Sequence, residues 1–315
     1  MPTNRAEGVP PPPEPTGPPE AWQHIELYRA VRKSIYTLPS RFESDLVISG
    51  VLATDLFAFN QSLGTTIEEQ VVASLNRLRS VWDLEPQYAL YNFERQPQTF
   101  PDVVLKAAAP DVEPQILLGI ELKGWYVLAK EREPSFRYKV TPAVCAPADL
   151  LVVVPWALSN IVSGSPKVFT PFVTGARYAA EYRNWFWEYG KGGNGSNAVD
   201  ISTVASHYPA KSDMISDRPV SDRGGNFGRL ARTGVMDTYI AELFKNALAG
   251  VPLAAWQKFL SLFTESRPSE DISNALNRLA KTIAEQTDPK LSEDDREALR
   301  MKFSEISQIL GGRGN

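Results

Sequence analysis

Apolar side chains recur at helical spacing from residue 21 to 37, where Trp22, Ile25, Leu27, Tyr28, Val31 and Ile35 share one face. Pro39 is expected to end that helix. A second helical stretch is predicted from Ser40 to Asn60, with a break at Gly64. A third follows over 67–82, with Thr65 and Thr66 as candidate caps and Ile67, Val71, Leu75, Leu78 and Trp82 as its apolar face. The period then changes. Tyr88 to Phe93 is short, aromatic and bounded by breakers, and Asp102 to Leu105 is a second strand. A turn is expected from Pro110 to Pro114. The run from Ile116 to Lys123 is apolar until its end. Leu150 to Val154 reads as a central strand covered on both faces and stopped by Pro155.

Residues 175–189 read as an aromatic helix (Tyr178, Tyr182, Trp185, Phe186, Tyr189), with Arg177 and Arg183 turned toward solvent or a bound partner. Helices are predicted at 236–248 and 253–264, and a charged helical part over 268–311. This order predicts an α/β fold, a central mixed β-sheet flanked by helices, with helical additions at both ends. Residues 1–20, with Pro10 to Pro13, read as a flexible polyproline-like tail. The main domain is expected over 21–265 and a C-terminal helical segment over 266–315.

Composition narrows the chemistry. Of 315 residues 43% are hydrophobic, enough for a sizeable core. No run of eighteen apolar residues and no signal-like N-terminus are present, so a cytoplasmic protein without membrane contact is expected. A single cysteine, Cys145, excludes an internal disulfide framework and a cysteine-rich zinc site, and its apolar setting reads as buried and inert. Two histidines, His24 and His207, argue against histidine-rich metal chemistry. The net charge is −4, yet residues 122–232 carry 14 Lys and Arg against 9 Asp and Glu, so the middle of the chain is its basic part.

The informative segment is Pro101-Asp102-Val103-Val104, followed by Glu121-Leu122-Lys123. Two adjacent strands can bring these side chains together. Glu121 and Lys123 are two apart and project from one face of an otherwise apolar strand. Charges placed there cost free energy unless something pairs with them, and a divalent metal is a natural partner. Mg²⁺ prefers oxygen ligands and keeps several waters, so the carboxylates of Asp102 and Glu121 suffice to hold it. A nearby lysine can orient an attacking water, assist its deprotonation, or neutralise a phosphate. The second match to this spacing, Asp288-Pro289-Lys290, contains proline and has no strand context, and it is set aside.

On these residues the chain resembles the PD-(D/E)xK nuclease superfamily, in particular its type II restriction endonucleases. Members often add a glutamate from the preceding helix in a context matched by Gly64-Thr65-Thr66-Ile67-Glu68-Glu69-Gln70-Val71. Glu68 fits that place, with Glu69 as the alternative. The resemblance implies a restriction-endonuclease-like core and Mg²⁺-dependent hydrolysis of double-stranded DNA at a specific sequence. It further implies catalytic roles for Asp102, Glu121, Lys123 and Glu68, a homodimer with two active sites on opposite strands, and a cognate DNA methyltransferase acting on the same site. A repair or structure-specific nuclease, and a non-catalytic DNA-binding protein on a nuclease fold, are the alternatives.

Residues 221–232 invite a DNA-contact reading. Their glycines let backbone amides approach phosphate, and Arg223, Arg229 and Arg232 suit phosphate or guanine. Asn226 suits adenine or holds the loop. The stretch Gly190 to Asn197 lacks the ending of a phosphate-binding P-loop and reads either as a mobile loop that orders on DNA or as a disordered linker.

Overall fold

The computed structural model describes residues 9–49, 53–96, 98–107, 115–129, 131–190, 198–222 and 225–262, and isolated short pieces within 274–303. Backbone alone is described for 53–62. The architecture is mixed α/β. A six-stranded sheet is built from β1 (Tyr91–Arg95), β2 (Val103–Ala107), β3 (Gln115–Tyr126), β4 (Leu150–Leu158), β5 (Pro166–Val168) and β6 (Phe172–Gly175). The first three strands form an antiparallel meander, β3 and β4 run parallel, and β5 and β6 pair antiparallel with successive halves of β4. Helices α1 (Ile25–Tyr36), α2 (Leu38–Arg41), α3 (Ala53–Arg77) and α4 (Arg79–Trp82) precede the sheet. Helices α5 (Ala176–Trp185), α6 (Asp237–Leu243) and α7 (Leu253–Ser261) follow it.

The apolar stripe of α3 explains its place. Ile67, Val71 and Leu75 are each at most 1% exposed and join Leu118, Ile120 and Leu122 of β3 in the main core. Each such burial contributes roughly 1.5–3 kcal/mol. On the opposite face of the sheet, Leu151 packs with Phe100, Tyr138, Val144, Cys145 and the small residues Ala176, Ala179 and Ala180 of α5.

Several expectations are corrected. The predicted second and third helices are not divided at Gly64: α3 runs through it, and Thr65 and Thr66 are helix interior rather than caps. The reason is tertiary packing: Ile67, Val71 and Leu75, just beyond Gly64, bury in the main core with β3, which outweighs the ~1 kcal/mol propensity cost of a helical glycine. Residues 42–47, inside the predicted second helix, are not helical. Pro39 does not end α1 but lies in the first turn of α2, where its missing N–H costs nothing. Pro155 does not stop β4, whose ladder continues to Leu158. Its carbonyl accepts the Phe169 amide at 2.8 Å, and its missing N–H faces the same side, where the partner changes from β6 to β5.

The predicted helix 236–248 ends early, because Ala247–Leu248 and Val251–Pro252 form a small hairpin of two strands. The Pro-rich segment from residue 9 onward is not a free tail. Pro18 is buried, and the Trp185 indole donates to the Pro10 carbonyl at 2.8 Å. Arg183 does not face solvent: it is 1% exposed. The Asp288-Pro289-Lys290 stretch, the Gly190 to Asn197 loop beyond its first residue, and most of 263–315 lie outside the described residues. Among the described residues no helix is long and apolar enough to cross a membrane.

Candidate active site

The site forms where β2 and β3 part. Their ladder pairs Val103 with Ile120, and extending that register by one residue sets Asp102 beside Glu121. Beyond it β3 continues to Tyr126 with β4 on one side and no β2 on the other. That leaves amides of β3 without a strand to receive them, and carboxylates take the place. Asp102 Oδ2 accepts the Leu122 amide at 3.0 Å, and Glu68 of α3 accepts the Gly124 amide. The fork in the sheet thus draws two acids to one strand edge, because a buried amide left unpaired costs about as much as a lost hydrogen bond.

Alternation along β3 then supplies the rest. Gly119, Glu121 and Lys123 share one face. Lys123 Nζ lies 2.9 Å from Asp102 Oδ2 and 2.9 Å from Glu121 Oε1. Arg95 of β1 reaches Glu68 at 3.9 Å and Glu69 at 2.6 Å. Glu68 is thus the helix carboxylate that faces the cluster, while Glu69 is the more exposed of the two, at 58%. Asp102, Glu121, Lys123 and Glu68 are brought together as the sequence predicts.

Three carboxylates facing one ammonium leave negative charge in a half-buried place. Burial pushes the Glu121 carboxyl up, and Asp102 adds to this. Lys123 and the Asp102 amide work against the rise, and the group settles at about 7. Glu68 is raised for the same first reason, burial, with Asp102 adding to it against Lys123, the Gly124 amide and Arg95. Burial alone would lower the Lys123 ammonium, but Glu121 and Asp102 outweigh it and hold it above the ordinary lysine value. Lys123 is therefore a cation here, a donor to anions rather than a base.

The donor set fits a hard divalent cation, since the ligands on offer are carboxylate oxygens with uncompensated charge. Asp102 and Glu121 would hold it. Among the described residues no group of three or more His, Cys, Asp or Glu side chains is placed to hold a metal.

Two residues not picked out from the sequence support this geometry. Asp149, 1% exposed, accepts the Gly119 amide at 2.7 Å, the Ala146 amide at 2.7 Å and the Tyr208 hydroxyl at 3.1 Å. Gly119 has no room for a side chain: a β-carbon there would lie 2.3 Å from Pro101 Cγ and 2.9 Å from Asp149 Oδ1. Pro101 is therefore seated directly on the strand that carries Glu121. The signal available in the sequence was an acid, Asp149, at the mouth of an otherwise apolar run.

The expected DNA-contact residues are placed less simply. Arg223 lies outside the described residues. Asn226 accepts from the Arg232 guanidinium and so holds its own loop. Arg229 pairs with Glu131 at 3.4 Å and Arg232 with Glu133 at 2.7 Å. Cys145 is fully buried, and burial holds its thiol up at about 12, in keeping with an inert thiol. His207 is exposed, with Nδ1 3.3 Å from the Val144 carbonyl, and His24 Nδ1 lies 2.9 Å from the Tyr88 hydroxyl. Compared with known proteins, the chain matches no family model, no curated protein and no solved structure.

Proposed function

We propose that the chain is a Mg²⁺-dependent DNA endonuclease of the restriction-enzyme kind, built on a restriction-endonuclease-like core. The observation that carries this reading is the convergence of Asp102, Glu121 and Glu68 on Lys123 at the fork between β2 and β3. Bound Mg²⁺ would lower the pKa of its water and relieve charge on the scissile phosphate. Asp102 and Glu121 would hold the ion. Lys123, held charged by its two carboxylate neighbours, donates to the phosphate or orients the attacking water. Glu68 adds negative charge from α3 and fixes the strand edge through the Gly124 amide. Arg229 and Arg232, with Arg223 and Asn226, belong to the DNA-contact region on this reading. A homodimer acting on both strands of a specific duplex sequence, protected by a methyltransferase of the same specificity, completes it.

Incubation of the purified chain with unmethylated mixed-sequence duplex, with and without Mg²⁺ and beside Asp102→Ala, tests the reading. Discrete fragments that need Mg²⁺ and vanish in the variant are expected. Cleavage at branched or damaged DNA alone would point to a repair nuclease. Binding without cleavage would leave a DNA-binding protein on a nuclease-like fold.

A further inference from the structure

A second set of charges lies on the outer side of the segment that covers the carboxylate face. Residue 137 bridges residue 229 in antiparallel sense, and the Tyr138 amide donates to the Gly228 carbonyl at 2.7 Å. Tyr138 points inward. It is 1% exposed, its hydroxyl donates to the Ala176 carbonyl at 2.9 Å, and Glu121 is close enough to raise its pKa, after burial and Cys145. Alternation then turns Arg137 and Lys139 outward. Their side chains lie across two glycines: a β-carbon on Gly225 would sit 2.6 Å from the Arg137 guanidinium, and one on Gly228 would sit 2.9 Å from Lys139 Cγ. Arg229, the cross-strand neighbour of Arg137, shares its side. Arg232 follows within the short helical turn Leu230–Thr233. Four cations thus form one ridge on the back of Tyr138, whose other side faces the strand of Glu121.

Asp222 lies beside it, with Oδ2 3.9 Å from the Gly225 β-carbon position that Arg137 crowds, and two further acids pair with its arginines. Glu131 and Glu133, from the turn after β3, pair with Arg229 and Arg232. All four partners are between 23% and 47% exposed. Ion pairs so open to water hold weakly and exchange readily for a polyanion. The surrounding stretch, residues 122–232, is net positive in a chain of net charge −4, which favours a polyanionic partner here over elsewhere.

We propose that this ridge is the track for the sugar–phosphate backbone of a DNA duplex. Arg137 and Lys139 are its further contacts, and Glu131 and Glu133 hold Arg229 and Arg232 until DNA displaces them. The proposal rests on the nuclease reading and specifies where its substrate lies.

Binding of a mixed-sequence duplex to the full chain, without Mg²⁺ and across a salt series, tests it. Arg137→Gln with Lys139→Gln is expected to weaken binding about tenfold, equally on all sequences, and to reduce the salt slope by about 2. Glu131→Gln with Glu133→Gln is expected to tighten binding by about 3- to 10-fold, a gain that no folding defect produces. If the wild type binds and cuts duplex DNA while both double variants keep its affinity and slope, the ridge is overturned and the nuclease reading stands. If the wild type neither binds nor cuts duplex DNA, both are overturned.

Discussion

The Arg183–Asp217 pair and the Lys123 cluster use the same ingredients and are finished differently. Arg183 gives Nη1 to the Tyr138 and Val140 carbonyls, Nε to Asn184, and Nη2 to Asn184 and, at 2.5 Å, to Asp217. Asp217 also takes the Asn184 amide group and the Ser202 backbone amide. Both members are at most 1% exposed, and the charges cancel. This pair ties α5 to the segments around residues 138–140, 202 and 217. The other cluster sets Glu68, Asp102 and Glu121 against Lys123 and a distant Arg95, keeps 13–35% exposure, and pushes Glu121 up to about 7. Burial of charge is common to both. What distinguishes a candidate reaction centre is incompleteness: negative charge that the protein itself does not match, left within reach of solvent.

The comparison is broken most severely at its closed member. Asp217→Ala leaves a buried guanidinium without its counter-ion, and a loss of about 3–5 kcal/mol in denaturant-unfolding stability is expected. A loss below about 1 kcal/mol would mean that the pair does not close the structure. Asp149 gives the next largest effect. Burial holds its carboxyl at about 6, against 3.8 ordinarily, despite the Ala146 and Gly119 amides and the Tyr208 hydroxyl. The folded chain keeps a proton that the unfolded chain releases across that window. The group's contribution to stability is therefore full below about pH 4 and falls, by up to about 3 kcal/mol, as pH rises through about 6. The stability of the wild type minus that of Asp149→Asn should decline between those two pH values, and a constant difference would contradict the assignment. Gly119→Ala comes third. Pro101 blocks the new methyl group, so a cost of about 1–3 kcal/mol is expected, with reduced cleavage as Asp102 and Glu121 are pushed apart. Wild-type stability in that variant would show that Pro101 moves freely.

The site was more legible in the sequence than the fold around it. A strand can carry Glu121 and Lys123 on one face only by exposing both to the same partner, and Pro101-Asp102 opens the neighbouring strand, so local pattern sufficed. Glu68 was readable through the resemblance, from its place in the context Gly64 to Val71. What escaped depends on tertiary partners. Gly64 stays helical because Ile67, Val71 and Leu75 beyond it bury with β3, and Pro155 stays in its strand because the partner strand changes there. Arg183 looked solvent-bound because its partner, Asp217, is 34 residues away. Polyproline composition suggested a free tail, whereas the Trp185 indole bonded to Pro10 and the burial of Pro18 give the segment a seat that no local pattern announces.

The most direct test pairs cleavage with stability in one variant, Glu121→Gln. The carboxyl it replaces already sits at about 7, so the amide should leave thermal stability within about 1 kcal/mol of the wild type. Mg²⁺-dependent cutting of duplex DNA should fall by at least about 10²–10³-fold. A folded variant that no longer cuts is the predicted result. A variant that cuts like the wild type, or a wild type whose cutting ignores Mg²⁺, would contradict the account and return Asp102, Glu121 and Lys123 to a structural ion pair.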